Sequence, residues 1–137
     1  MQSVCTFLPP EFAQQIVDAR AIMAEEPSIG AIYDPPFSHF TLQLAQDYDW
    51  DSLAGAMAEF AAKEEPFQAK TMGLWVGGNG DTVDVAVMPY ASEQMRDFHS
   101  RLWQAISPFT IGNVRQFDDP ETWFPHVTIK RCGTDKA

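Results

Sequence analysis

The sequence predicts a mixed fold of helices and strands in two similar lobes, and three observations lead to this prediction. Short alternating segments are interleaved with longer segments whose apolar residues recur at helical spacing. The order strand, proline, helix, loop and strand occurs twice along the chain. A length of 137 residues can bury one hydrophobic core but is short for two, so we expect residues 1–137 to form a single domain.

The chain opens with a predicted strand and a predicted helix. Residues 3–8 have strand character and stop at two prolines, and proline suits the first turn of a helix. Apolar residues at helical spacing continue this helix to about residue 25. Prolines and a glycine between residues 27 and 36 then predict a loop.

Residues 37–44 predict a strand with two different faces. Phe40, Leu42 and Leu44 alternate with a polar set. The polar set is His39, Thr41 and Gln43. We therefore expect His39 and Thr41 to point to the same side.

The middle of the chain predicts a second helix and a hairpin. Asp49 is suited to cap a helix that ends near residue 65. Strand-like residues 67–76 and 82–88 flank a glycine-rich turn, which is typical of a β-hairpin.

The last third of the chain predicts a helix, a long loop and a final strand. The helix covers about residues 92–106, and His99 falls within its apolar stripe, where we interpret it as a packing residue. Residues 107–123 are rich in Asp, Pro and Gly and predict a long loop. Residues 124–131 predict the final strand.

The two halves of the chain share one motif in matching positions. The segment 36–42, Pro-Phe-Ser-His-Phe-Thr-Leu, corresponds to 123–129, Trp-Phe-Pro-His-Val-Thr-Ile. Both contain His-x-Thr followed by an apolar residue. The repeated order predicts two strands whose polar sides face one shared cleft.

Two His-x-Thr strands around one point suit a phosphoryl group. Residues two apart on a strand share a face, so each histidine lies beside its threonine. Histidine can take or give a proton near neutral pH, and threonine hydroxyls can donate to phosphate oxygens. The candidate catalytic residues are therefore His39 and His126, with Thr41 and Thr128 as phosphate-binding residues.

These two motifs resemble those of the two-histidine phosphoesterase superfamily, the 2′,5′ RNA ligase-like group. The resemblance implies a bilobal α+β fold, with two pseudo-symmetric β-α-β lobes and antiparallel or mixed sheets around a central cleft. It implies metal-independent phosphodiesterase chemistry without a cofactor, on a 2′,3′-cyclic phosphate or a 2′,5′-phosphodiester of a nucleotide or RNA end. By this resemblance, the two histidines and two threonines are the catalytic and phosphate-contacting residues.

Two cations and four aromatic residues near the motifs are further candidates. Ideal alternation puts Lys130 on the side of His126 and Arg131 on the other, unless the strand ends or bulges there. Either could bind phosphate, and either could be a surface charge. The aromatic residues are Tyr33, Phe37, Trp123 and Phe124. They could stack on a nucleobase or pack in the core or the cleft wall.

Composition limits the classes of molecule that we expect the protein to bind. A net charge of −10 disfavours duplex nucleic acid, because such binding relies on neutralising phosphates, but it admits a small nucleotide or oligonucleotide. No segment is apolar enough for a membrane span, and the N-terminus lacks a secretory signal, so we expect a cytoplasmic protein without a membrane partner. We also expect a monomer.

Two other functions are compatible with the same residues. A metal site of His39, His99 and His126 is disfavoured because no pair has ligand spacing on a helix. A non-catalytic module could bind a cyclic nucleotide or an RNA end through the same residues, although binding alone does not require two acid–base groups. The exact substrate, the acid and base assignment, hydrolysis or ligation, and the pathway are left open by the sequence.

Overall fold

A computed structural model describes residues 1–25, 31–33, 37–78 and 80–133. Its helices are α1 (Pro10–Ala24), α2 (Trp50–Ala61) and α3 (Glu93–Ile106). Its strands are β1 (Gln2–Phe7), β2 (Ala31–Tyr33), β3 (His39–Tyr48), β4 (Thr71–Gly78), β5 (Thr82–Pro89), β6 (Thr110–Val114) and β7 (Val127–Gly133). The predicted α+β fold is confirmed. In the described part of the chain, no helix is both long and apolar enough to cross a membrane.

The chain divides into two compact units, each with its own sheet and helices. Unit 1 comprises residues 1–5, 41–70 and 90–125, and unit 2 comprises residues 6–40, 71–89 and 126–137. The division falls inside β1 and β3, so both of these strands contribute residues to both units. The prediction of a single domain is not tested by this division.

Unit 1 carries most of a three-stranded sheet in the order β1–β3–β6, together with α2 and α3. Asp49 caps α2 by accepting from the Ser52 amide, and Ser92 caps α3 by accepting from the Met95 amide. Along α3 the buried side chains recur every three or four residues, which places one face of the helix in the core. They are Met95, His99, Leu102 and Ile106.

Unit 2 carries a four-stranded sheet in the order β2–β7–β5–β4, covered on one face by α1. The β4–β5 hairpin is antiparallel as predicted, and its turn contains Gly80 at a φ of 91°, which glycine adopts without strain. The core of this unit is a cluster of Ile16 from α1 with Val127 and Ile129 from β7. The first part of the final strand is therefore held against α1 by Val127 and Ile129.

Two predicted loops contain strands. Residues 107–123 include β6, which pairs antiparallel with β3, so the prediction of one long loop is wrong there. Gly112, at a φ of 73°, breaks the apolar alternation that would have marked β6 in the sequence. Likewise β2 lies within the predicted loop 27–36 and pairs with β7, whereas residues 26–30 and 34–36 lie outside the described part.

Candidate active site

His39 begins β3 and is half-buried in unit 2. Its Nδ1 lies 2.9 Å from the carbonyl oxygen of Phe37. A carbonyl oxygen can only accept, so Nδ1 carries the proton in this hydrogen bond. Nε2 is then the ring nitrogen of His39 that can exchange a proton with a substrate.

Phe37 lies against the imidazole of His39, with ring centroids 5.1 Å apart. The ring of Phe37 also lies near that of Phe7, with centroids 4.9 Å apart. Phe37 is 42% exposed and Phe7 is 69% exposed, so these two rings are not core residues. Phe37 is therefore a predicted stacking residue whose ring contacts a motif histidine.

Thr41 follows His39 at the next same-side position of β3 and is half-buried. Its carbonyl oxygen accepts from Trp123 Nε1 at 3.0 Å. The next carbonyl, of Leu42, is 2.7 Å from His99 Nε2. The rings of His99 and Trp123 are stacked, with centroids 3.9 Å apart and an interplanar angle of 2°. The first motif is thus held through its backbone by two stacked rings.

His99 is a buried, neutral donor in this arrangement. Its hydrogen bond to a carbonyl requires the proton on Nε2, and in the described part of the chain its Nδ1 has no hydrogen-bond partner. Burial lowers the pKa of His99, while the bond to Leu42 and the charge of Asp119 act in the opposite direction. The interpretation of His99 as a packing residue was therefore incomplete, because the ring also donates to the motif strand.

His126 immediately precedes β7, and its ring is 6.0 Å from that of Trp75 on β4. Trp75 is paired across the sheet with Ala86, and Ala86 with Thr128. Directly paired residues point to the same face, so Trp75, Ala86 and Thr128 share one side of the sheet. The neighbours Val127 and Ile129 pack against α1 on the other side. His126 and Thr128 therefore lie on the face away from the core helix.

A bulge in β7 separates the two predicted cations. Val85 pairs with Lys130 and Ala86 with Thr128, so Ile129 is the extra residue. After the bulge, Lys130 is buried and its Nζ lies 3.4 Å from the carbonyl of Met23 in α1. Arg131 pairs with Asp84, on the face of Thr128. Of the two alternatives, the bulged strand is the one observed.

Arg131 forms a two-pronged ion pair with Asp84 of β5. Its Nε and Nη2 lie 2.5 Å and 2.9 Å from the two carboxylate oxygens. The side chain is 40% exposed, so the pair orients the guanidinium more than it stabilises the fold. A guanidinium carries a lasting positive charge and planar N–H donors, a combination that suits a phosphate.

The remaining stacking candidates have different environments. Trp123 is 4% exposed and stacks on His99, so its ring serves packing and offers no open face to a nucleobase. Phe124 is 39% exposed. Tyr33 belongs to β2 and pairs with Arg131, but its side chain lies outside what the structure describes.

Sequence reasoning missed Arg20 and Trp75. Arg20 of α1 donates to the carbonyls of Thr128 and Ile129. The sequence pattern that could have indicated this contact is its position four residues after the core residue Ile16, on the same face of the helix. Trp75 lies between two glycines on its own face of β4, and a Cβ at Gly77 would overlap its indole. That alternation of tryptophan and glycine marks a ring lying along the strand.

No group of three or more His, Cys, Asp or Glu in the described residues could hold a metal ion. Cys5 and Cys132 are free thiols, and burial raises the pKa of Cys5. Neither thiol is among the contacts of the motif residues described above.

The α+β fold and its two His-x-Thr strands define a protein of the two-histidine phosphoesterase class. The model of the 2′-5′ RNA ligase superfamily matches residues 8–137, a range that includes both motifs, and the chain belongs to this family. No match to the chain was found among curated proteins or among solved structures.

Proposed function

We propose that this protein is a metal-independent phosphodiesterase that hydrolyses a 2′,3′-cyclic phosphate or a 2′,5′-phosphodiester of a nucleotide or RNA end. The observation that carries the proposal is the repeated His-x-Thr motif in a chain of the 2′-5′ RNA ligase superfamily. The common face of His126, Thr128 and Arg131, opposite the core helix, supports it.

The two histidines divide the proton transfers between them. One neutral imidazole takes a proton from water as the water oxygen attacks phosphorus. The other, protonated, gives its proton to the ribose oxygen as the bond from phosphorus to that oxygen breaks. The product is a phosphate monoester with one ribose hydroxyl restored. Because Nδ1 of His39 bonds the Phe37 carbonyl, Nε2 is the atom through which His39 acts.

The threonines and Arg131 stabilise the charge on the phosphoryl group. The hydroxyls of Thr41 and Thr128 donate to the non-bridging oxygens, whose negative charge grows in the transition state. Arg131 adds a positive charge on the Thr128 face, and its ion pair with Asp84 holds the guanidinium in a defined direction. No step of this reaction requires a metal ion, because the imidazoles supply both proton transfers.

The substrate is small, and Phe37 contacts its base. A protein with a net charge of −10 repels a long polyanion, whereas a mononucleotide or short oligonucleotide carries few charges. The exposed ring of Phe37 beside His39 offers a flat apolar surface for a nucleobase. We expect the protein to act as a monomer on such substrates.

The test is turnover of a panel of 2′,3′-cyclic mononucleotides and 2′,5′-linked oligonucleotides in EDTA. His39→Ala and His126→Ala should each lower kcat by at least about 100-fold, since each removes one proton transfer. Thr41→Val and Thr128→Val keep the side-chain shape and should lower kcat about 10- to 100-fold. Wild type should show a bell-shaped pH dependence of kcat/KM.

Thr71→Val is the matched control, because Thr71 is an exposed residue at the start of β4. It should leave kcat unchanged. Binding of the panel without turnover would replace the proposal with a non-catalytic module. Turnover lost in EDTA and restored by a divalent ion would contradict the metal-independent mechanism. Joining of a cyclic-phosphate end to a 5′-hydroxyl end would reveal the ligation direction.

A further inference from the structure

Side-chain N–H groups hold the backbone of both motifs at the same two positions. In the first motif, the carbonyls of Thr41 and Leu42 accept from Trp123 and His99 at 3.0 Å and 2.7 Å. In the second motif, the carbonyls of Thr128 and Ile129 accept from Arg20 at 3.0 Å and 2.8 Å. In each motif these are the threonine and the apolar residue that follows it.

In each motif, one of these donors acts where the strand ladder is interrupted. Leu44 accepts from the Arg115 amide just beyond β6, and Leu42, two residues earlier, accepts from His99 instead. Carbonyls two residues apart point to the same edge of a strand, so His99 continues that edge beyond β6. In the second motif the bulge at Ile129 disrupts the ladder, and Arg20 donates there.

The two sets of donors occupy corresponding places in the repeat. Arg20 lies on α1, 11 residues after Pro9 (20 − 9), and His99 lies on α3, 10 residues after Pro89 (99 − 89). Arg20 uses a two-pronged guanidinium, whereas His99 is completed by the stacked indole of Trp123. Different side chains thus donate to the same backbone positions, which indicates that both motifs require these two carbonyls to be held.

We propose that Arg20, His99 and Trp123 are positioning residues for the reaction proposed above, on which this inference rests. Holding a carbonyl fixes the peptide plane, and the peptide plane fixes the direction of the threonine side chain. The histidine of each motif lies two residues before this threonine in the chain. Trp123 also lies three residues before His126 in the chain. Its bond to Thr41 therefore connects the segment before the second motif with β3.

The donors of the first motif are tested by removing one N–H group at a time. Trp123→Phe keeps an aromatic ring on His99 but loses the bond to Thr41, and kcat should fall at least about tenfold while KM changes much less. His99→Gln can still donate through Nε2, whereas His99→Leu cannot. We expect His99→Gln to retain most of kcat and His99→Leu to lose it.

Arg20→Met tests the second motif, since it keeps the apolar stem of the side chain but removes both bonds. The same fall in kcat is expected. The matched controls are Trp103→Phe, a half-buried indole 6.0 Å from His99, and Arg96→Met, an arginine that donates to the carbonyl of Ala91 away from the motifs. Both should keep kcat when activity is expressed per folded molecule.

Hydrogen exchange checks the geometry without activity. The indole N–H of Trp123, which is 4% exposed, should exchange more slowly than that of Trp50, which donates to Asp47 but is 51% exposed. Rapid exchange at Trp123, or unchanged kcat in Trp123→Phe and Arg20→Met, would overturn the positioning role while leaving the proposed function intact. An inactive but folded wild type would instead overturn the proposed function and, with it, any role in positioning.

Discussion

The bulge at Ile129 determines which of two adjacent cations shares the face of Thr128. Alternation alone would have chosen Lys130, but the extra residue turns Lys130 toward α1 and Arg131 toward Asp84. One unpaired residue therefore reverses the faces that simple alternation would assign to Lys130 and Arg131. The two cations have different surroundings, which predicts different roles that substitution can test.

Arg131→Met should raise KM for a cyclic nucleotide by about tenfold or more, because a charged hydrogen bond to phosphate is lost. Lys130→Met should leave KM unchanged, since the ammonium points to the Met23 carbonyl. Steady-state kinetics of both variants gives the comparison. Arg101→Met is the control, because Arg101 forms a similar pair with Glu64. A larger effect from Lys130 would reverse the assignment.

His99 makes stability depend on pH. Burial lowers its pKa in the folded state, so below about pH 6.5 the unfolded chain binds a proton that the folded chain resists. The contribution of His99 is thus intact above that pH and is lost as pH falls through the lower, folded-state pKa. The stability advantage of wild type over His99→Gln should shrink from pH 7 to pH 5 in urea unfolding. An advantage that stays constant or grows would contradict a buried neutral imidazole.

At the scale of elements, α1 and β7 depend on one another. Ile16 is 2% exposed and packs on Val127 and Ile129, which flank Thr128 in the second motif. Apolar residues on one side of β7 fix the strand to the helix, and this leaves the other side for Thr128 and Arg131. The packing of unit 2 therefore presents half of the candidate site.

Ile16→Ala should lower the free energy of unfolding by about 2–5 kcal/mol, because it leaves a cavity under β7. Val17→Ala, at the neighbouring and 48% exposed position, should change it by about 0.5 kcal/mol or less. Urea titrations followed by circular dichroism measure both. Equal effects of the two substitutions would contradict the packing of α1 on β7.

At the scale of the whole molecule, two compact units share two strands. Residues of β1 and β3 belong to both units, and the His39 motif itself spans the division between Phe40 and Thr41. If one unit unfolded alone, the strand residues that continue into the other unit would lose part of their ladder, and this loss costs free energy. This continuity leads us to keep the prediction of a single domain.

We expect one cooperative unfolding transition for the full chain. Tryptophan fluorescence and far-ultraviolet circular dichroism should give the same midpoint in a thermal or urea titration, as for a two-state domain. Trp75 lies in unit 2 and Trp123 in unit 1, so single-tryptophan variants can follow each unit. Two separate midpoints would show that the units are independent domains.

Local patterns were sufficient for most of the fold. The three helices and the strands β1, β3, β4, β5 and β7 were predicted near their observed positions because apolar period, proline and capping residues act within a few residues. The strands β2 and β6 were missed because each is short and pairs with a strand distant in sequence. Short strands owe their structure to that pairing more than to their own residues.

The sequence by itself determined the two motifs and the family they resemble, and it led to the proposed chemistry, because the identity and spacing of His and Thr are local properties. Tertiary structure alone decided that Arg131 shares the Thr128 face, that Trp123 is buried, and that Arg20 and His99 hold the motif strands. The contacts of His99 and Arg20 with the motif strands join residues 57 to 109 positions apart. They follow from packing and from an interrupted ladder, which no local pattern records.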